Sequence, residues 1–437
     1  MHAEAHGEWP DDRRPEPLSD PFDPPRLHTV SDVGGRMATN TELPLADLRV
    51  VEMGQLLAGP FCGQLLGDFG AEVIKIEDPR AGDPMRQWGR EKPHGMSLWW
   101  PIVARNKKSI TVNLRSPDGQ ELVRRLLAEA DVLLENFRPG TLERWGLPPE
   151  TLWEINPRLV ITRVSGYGQT GPYAGRAGFG SIGEAMGGIR HVTGDPDRPP
   201  ARSGISLGDS LAAVFAALGT LVALHDRCRT GRGQVVDTAI YEAVLAMMES
   251  LLPEWVIAGY RRERTGAVLP NISPSNVYPT RDGESVLIAA NQDSVFRRLT
   301  EVMGRAELAD DERFRAHDAR GRNMALIDDI IAEWSVTLSA DELLDRLSTH
   351  GVPAGRIYTA EDMLTDPHFL AREAIVRMAA PGLGDVPMQN VAPRLSHSPG
   401  TVRHTGPALG EHNDEVFGKL LGLTADRAAE LRAAGVI

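Results

Sequence analysis

Cysteine is scarce: Cys62 and Cys228 are the only two in 437 residues. They have no metal-ligand spacing and cannot make a disulfide framework, so a reducing cytoplasm suits the chain. Each thiol is read first as a structural residue rather than a reactive one. Positive charge is also in deficit, with 47 Lys and Arg against 60 Asp and Glu and a net charge of −13. That balance argues against a nucleic-acid partner, though a local basic pocket is still allowed. No apolar run of about 18 residues is free of charge, so no membrane span or membrane partner is expected. An apolar signal core is missing, and Glu4, Glu8, Asp11 and Asp12 speak against a transit peptide.

What is present is length enough for two domains and a sizeable core. Residues 1–40, rich in Pro, Asp, Arg and His, read as a disordered arm, with Met37 a possible internal start. Order begins at the strand Leu48–Glu52. The pair Gly59-Pro60 breaks the chain, Phe61–Phe69 reads as a helix, and Glu72–Glu77 is a second strand. Strand, helix and strand make a βαβ unit and hence a parallel sheet. A strand at Ser109–Leu114, a helix at Gly119–Ala130 and strands at Asp131–Glu135 and Leu159–Val164 continue the alternation. The fold class is therefore α/β, doubly wound.

Glu77 ends its strand where a ribose-binding acid stands in dinucleotide folds, but the first turn lacks the glycine fingerprint, so NAD is not expected. Gly166-Tyr-Gly-Gln-Thr-Gly171 has the right spacing yet runs into Pro172 instead of a helix. The run Arg105-Asn-Lys-Lys108 reads as a solvated edge, or else as a phosphate site at strand ends. Further on, Arg202-Ser-Gly-Ile-Ser-Leu-Gly-Asp209 opens an apolar helix expected at about Ser210–His225. Asp209 then lies at or near the N-cap, where an anion is favoured; alone, that is a cap. A second helix is expected at about Val236–Ile257, followed by an Arg- and Gly-rich linker. His412 with Glu411 and Asp414 is read as a helix-start cluster before a metal site, and Trp99, Trp100 and Tyr241 as core or interface. The division that results is an arm at 1–40, a large domain at 41–225, a helix and linker at 226–274, a small α/β domain at 275–365, and a segment at 366–437 returning to the large domain.

Several stretches taken together resemble the class III CoA-transferases (formyl-CoA transferase, carnitine CoA-transferase, the CaiB/BaiF group). They are Leu57-Ala-Gly-Pro60, Leu65–Glu77, Gly82-Asp83, Arg105–Ser109, Val132–Gly140, Gly166–Pro172, Leu207-Gly-Asp209, Thr230–Gln234 and Gly410–Val416, in the family's order. The resemblance covers about residues 44–437. It implies a Rossmann-like large domain, a smaller α/β domain and an interlocked homodimer. It also implies that Asp209 is the nucleophile, with no prosthetic group and a coenzyme A thioester as substrate.

In that chemistry CoA passes from an acyl-CoA to a carboxylic acid acceptor through an aspartyl anhydride and an aspartyl-CoA thioester. By the same likeness, CoA contacts fall on Leu57, Ala58, Arg80, Val112, Asn113, Leu114, Arg115, Asn136, Phe137, Arg138 and Arg144. The sequence departs from the formyl-CoA/oxalate members: Arg262-Glu-Arg-Thr-Gly266 is not followed by a glycine run, Phe179-Gly180 replaces a Tyr-Glu pair, and Leu57 replaces a Gln. Oxalate is thus not the expected substrate. The related racemases place a His-Asp pair where Phe179 and Gly180 stand, which disfavours an acyl-CoA racemase or isomerase. A non-catalytic acyl-CoA-binding subunit of a hetero-oligomer is the remaining alternative. Glu184, one helical turn beyond Gly180, either faces the substrate pocket or is an ordinary exposed acid.

Overall fold

The computed structural model describes residues 43–437, so the arm at 1–40 and Met37 lie outside the described residues. Its centre is a six-stranded parallel sheet: β1 (Arg49–Glu52), β2 (Glu72–Glu77), β3 (Lys107–Thr111), β4 (Val132–Glu135), β5 (Val160–Ser165) and β6 (Val235–Ala239). The spatial order is β3-β2-β1-β4-β5-β6. The order in which strands are added reverses between β1 and β4, which pair in parallel, and this is the place where doubly wound folds leave a crevice beyond the strand ends.

Side chains alternate across these strands, as period two demands, and both faces are buried. Val51, Ile74, Ile76, Ile110, Leu133 and Ile161 enter one core, shared with Leu122 and Leu126 of the helix Pro117–Ala128. Val50, Val73, Val132, Leu134, Val160 and Val164 enter the other, under the helices Ala58–Asp68 and Leu207–Thr230. The first core is closed by the chain end, with Val416, Phe417, Leu431, Val436 and Ile437 buried in it. Backbone bonds from His412 N to Ser109 O and from Asn113 N to Val436 O tie that end to β3.

Several boundaries differ from the expected ones. The stretch Val235–Ala239 is not the start of a helix but strand β6, paired with β5. Its β-branched Val, Val and Thr fit a pleated edge better than a helix. Two short helices follow, Ile240–Leu245 and Leu251–Ala258. Gly59-Pro60 does not break the chain; it lies in the first turn of the helix Ala58–Asp68, where proline's missing N–H is not needed. β3 begins two residues earlier than expected, because the parallel register sets Lys107 opposite Val73.

The helix Leu207–Thr230 also outruns its expected limits and ends on Gly231 in the left-handed region, φ 73°. By length and composition it could cross a membrane, which counting charge-free runs did not show. Its inner face of small residues, Ala212, Ala213, Ala216, Ala217 and Ala223, is buried against the sheet. Among the described residues a second, antiparallel sheet joins β7 (Ser275–Pro279), β8 (Ser285–Ala289) and β9 (Ala354–Arg356). Its own core holds Tyr278, Phe296, Phe314, Ile327 and Leu343. The strands β10 (Ile375–Ala380) and β11 (Gly384–Gln389) form an antiparallel pair before the chain returns to β3.

Candidate active site

The loop after β1 stands at the switch point and is held from below and from the side. Asn136, just beyond β4, clamps it with both halves of its amide: Oδ1 accepts from Gln55 N and Nδ2 donates to Gln55 O, each at 2.8 Å. Lys75 Nζ donates to Gly54 O at 2.8 Å and Lys107 Nζ to Pro60 O at 2.6 Å. Leu56 adopts φ 63°, uncommon for a residue with a Cβ, and donates its N–H to Asp83 Oδ1 at 3.1 Å.

Beneath lies a buried ionic group. Lys75 reaches Glu52 at 3.0 Å and Asp83 at 2.7 Å, and Lys107 reaches Glu52 at 2.8 Å. Buried charges persist only when paired and hydrogen-bonded in this way. Glu77 is spent as well, on Arg86, the Ser109 hydroxyl and the Asp83 N–H. The run at 105–108 is therefore neither a solvated edge nor a free phosphate site. Arg105 binds Asp68 through two nitrogens, Lys107 is internal, and Lys108 meets Glu72 and Glu415.

Around this loop, Leu57 and Ala58 are buried. Val112 is buried and Phe137 packs edge-on against Trp145, 5.0 Å between centroids. Asn113 turns its Oδ1 to the Arg115 N–H at 3.1 Å, and Leu114 O accepts from Gln120. Arg80, Arg115 and Arg138 are exposed beyond the ends of β2, β3 and β4, and Arg144 is exposed on the short helix Thr141–Arg144. Arg80 meets Asp78 at 3.4 Å, Arg138 donates to Gly175 O and Arg144 to the Thr141 hydroxyl. The rim thus combines a rigid apolar floor with outward cations, a composition suited to a nucleotide-bearing anion.

The second group of residues surrounds Asp209. Asp209 is not the cap: Ser206 holds that position, and Asp209 is the third residue of the first turn of Leu207–Thr230. Its carboxylate lies directly on Gly180, at the start of the helix Gly180–Met186; a Cβ there would come within 2.2 Å of Asp209 Oδ2. Phe179 precedes it with 67% of its surface exposed. Glu184 is not an exposed acid but is buried, accepting from the Gly208 N–H at 3.1 Å and from Arg190 Nε at 2.8 Å. Burial chiefly, with the neighbouring Glu184 charge adding and Arg202 opposing, pushes the Asp209 carboxyl up to about 6.

Arg190, Arg202 and the glycine packing were not singled out from the sequence. The signal was present as Gly180, Gly183 and Gly187, spaced along one helical face. Gly183 and Gly187 sit against Ile240 and Val244, where a Cβ would meet side-chain carbon at 2.4 and 2.6 Å. The helix after β6 can therefore approach the Asp209 site closely. Among the described residues no hydrogen bond or ion pair links the Asp209 group to the rim. Nor do His412 and Glu411 converge on a metal: they accept from the backbone N–H groups of Ser109 and Ala408, and among the described residues no group of His, Cys, Asp and Glu could hold one.

A doubly wound α/β fold with a semi-buried carboxylate at a helix start and a cationic rim at the switch point has the parts to hold an anionic ligand. Comparison with known proteins narrows that reading. The family described as CoA-transferase family III matches residues 45–413, and the chain belongs to it. The succinyl-CoA–D-citramalate CoA-transferase of Chloroflexus aurantiacus is 62% identical over 90% of this chain and 98% of its own length. The alpha subunit of succinyl-CoA–L-malate CoA-transferase from the same organism is 42% identical, over 91% and 93%. A CaiB/BaiF family protein of Brucella suis has a crystal structure that superposes with a TM-score of 0.76 at 38% identity, covering 86% of this chain and 99% of its own. The chain is a CoA-transferase.

Proposed function

We propose that this CoA-transferase uses Asp209 as its nucleophile and takes a dicarboxylic acyl-CoA of the succinyl type as donor. The observation that carries this is the Asp209 carboxylate itself, set on the bare Cα of Gly180 in the first turn of a long helix. One Asp209 oxygen attacks the thioester carbonyl and the C–S bond breaks, leaving a mixed anhydride and a CoA thiolate. The thiolate then attacks the aspartyl carbonyl, expelling the donor acid and leaving an aspartyl-CoA thioester. The acceptor carboxylate displaces CoA to form a second anhydride. Attack of CoA on its acyl carbon releases the new acyl-CoA and restores Asp209. At the helix start the N–H of Gly208 is taken by Glu184 and that of Ser210 by Ser206 O, so the N–H groups of Leu207 and Asp209 are the ones left to serve the tetrahedral oxyanions.

The donor class rests on the similarity to the Chloroflexus enzymes, and their printed acceptors make a hydroxylated dicarboxylic acid the first acceptor to try. CoA itself is placed on the rim, with Arg80, Arg115, Arg138 and Arg144 toward its phosphates, Leu57 and Ala58 beneath it, and the backbone of 112–115 and 136–138 beside it. A racemase is disfavoured because Phe179 and Gly180 supply no second acid or base to work opposite Asp209. A homodimer accounts for two apolar faces left open, Val214, Leu218, Leu221 and Val222 on one helix and Leu252, Trp255, Val256 and Ile257 on another. The compartment proposed is the cytoplasm.

Asp209→Asn tests the mechanism, since a neutral amide of the same size cannot form the anhydride. The folded variant should lose transfer and the hydroxylamine-trappable adduct that wild type forms with succinyl-CoA. Normal turnover by that variant would remove Asp209 from the chemistry. A panel of acyl-CoA donors and acids, read by mass spectrometry, tests the substrate class; no transfer from any dicarboxylic acyl-CoA would refute it.

A further inference from the structure

We propose that Glu184 is the positioning residue for the nucleophile: gripped by Arg190, its carboxylate holds the Gly208 N–H and so fixes the turn that presents Asp209. The proposal rests on Asp209 being the nucleophile. A helix start leaves its first N–H groups without internal partners, and one of them, that of Gly208, is taken by Glu184 Oε1 at 3.1 Å. The other oxygen, Oε2, accepts from Arg190 Nε at 2.8 Å. Glu184 is only 1% exposed, and a carboxylate in such a place needs a partner of opposite charge. Arg190 is that partner, and its side chain is about a quarter exposed.

The fit is close on every side. A Cβ on Gly208 would meet Gly180 O at 2.8 Å and Glu184 Cγ at 3.0 Å. Asp209 is thus held between Gly180 behind it and the helix turn anchored through Gly208. With both oxygens engaged inside the protein, Glu184 has no strong site left for substrate, which separates it from a pocket-lining acid. A glutamine oxygen would accept from Gly208 equally well, but its NH2 cannot accept from Arg190, so the two contacts together call for the carboxylate. The charge adds something else. Facing Asp209 are Glu184 from the helix Gly180–Met186 and Arg202 from the segment before Leu207, while Gly180 offers only backbone. A fixed negative charge makes the Asp209 carboxylate more basic and hence a better nucleophile at neutral pH.

Glu184→Gln is the test, with succinyl-CoA as donor and the folded state checked by thermal unfolding. The amide NH2 would face the Arg190 donors, so the grip is lost with the volume kept. The kcat should fall roughly 10- to 100-fold, as small misplacements of a reacting group do, while KM for the thioester stays within about twofold. The acid limb of kcat/KM should also move to lower pH, because the charge that disfavours the Asp209 anion is gone. Arg190→Met frees Glu184 but leaves its charge; it should lower kcat without the downward shift of the limb. Wild-type kcat and an unmoved limb in Glu184→Gln would overturn the proposal. If that variant does not fold, wild-type kcat in Arg190→Met overturns it instead. Inactive Asp209→Asn beside an unaffected Glu184→Gln would sink only this positioning role, whereas active Asp209→Asn would remove the nucleophile on which it stands.

Discussion

At Asp209, burial and then the Glu184 charge favour the protonated acid, Arg202 does not cancel them, and the carboxyl is pushed up to about 6. The anion is the nucleophile, so the sign follows directly. Above that pH kcat/KM should be level, and below it should fall about tenfold per unit as the carboxylate protonates. A profile flat down to about pH 4 would show that the reacting carboxylate is not held up in this way. Arg115 and Arg144 belong to a different kind of interaction, being exposed and bound only to their own neighbourhood. A phosphate contact is made alike in ground and transition state, so Arg115→Ala and Arg144→Ala should each raise KM for the thioester about tenfold with kcat nearly unchanged. Unchanged KM in both would put CoA elsewhere.

The loop from Gly54 to Pro60 is the element whose shape depends most on distant residues. Asn136, Lys75, Lys107 and Asp83 hold five of its backbone groups, and Leu56 keeps its positive φ within that grip. The same lysines neutralise Glu52, whose Oε2 lies where a Cβ on Gly63 would stand, 1.9 Å away. Replacing Lys75 with Met strands two buried carboxylates, Glu52 and Asp83, with one partner fewer each. Urea unfolding should register a loss of about 3–5 kcal/mol, and KM for CoA thioesters should rise as the loop loosens. A variant as stable as wild type would mean that this ionic group is not needed for the sheet.

For the whole molecule, the open faces on Leu207–Thr230 and Leu251–Ala258 are the feature a single chain leaves unexplained; Ile257 is 84% exposed and Val256 77%. Sizing at micromolar and nanomolar concentration should give one dimeric species, and Trp255→Glu with Val256→Glu should disrupt it. A folded, active monomer on dilution would remove the interlocked dimer. A chain starting at Met37 should retain activity, since the stretch before it is too polar to build a core. Much of the architecture was legible beforehand. The alternation of short apolar strands with periodic helices gives the parallel sheet, and the motif order from Leu57 to Val416 gives the family. The helix expected at Val236 was not legible correctly, because the apolar run of 235–245 suits a strand edge and a helix about equally until β5 is there to pair with it.

The sequence by itself determined the layers, which follow from local periodicity, while the rim residues and the candidacy of Asp209 came from the resemblance to a known family, carried by short motifs contiguous in the chain. Only the tertiary structure decided the fate of the charges. Lys107 belonged to a run read as a solvated edge or a phosphate site, Lys75 carried no reading at all, and Glu184 was either a pocket acid or a surface one. Each became internal because a partner far along the chain, or across a helix contact, neutralised it. Burial of an ion depends on the geometry of its counter-ion, and a sequence lists the ions without saying which of them will meet.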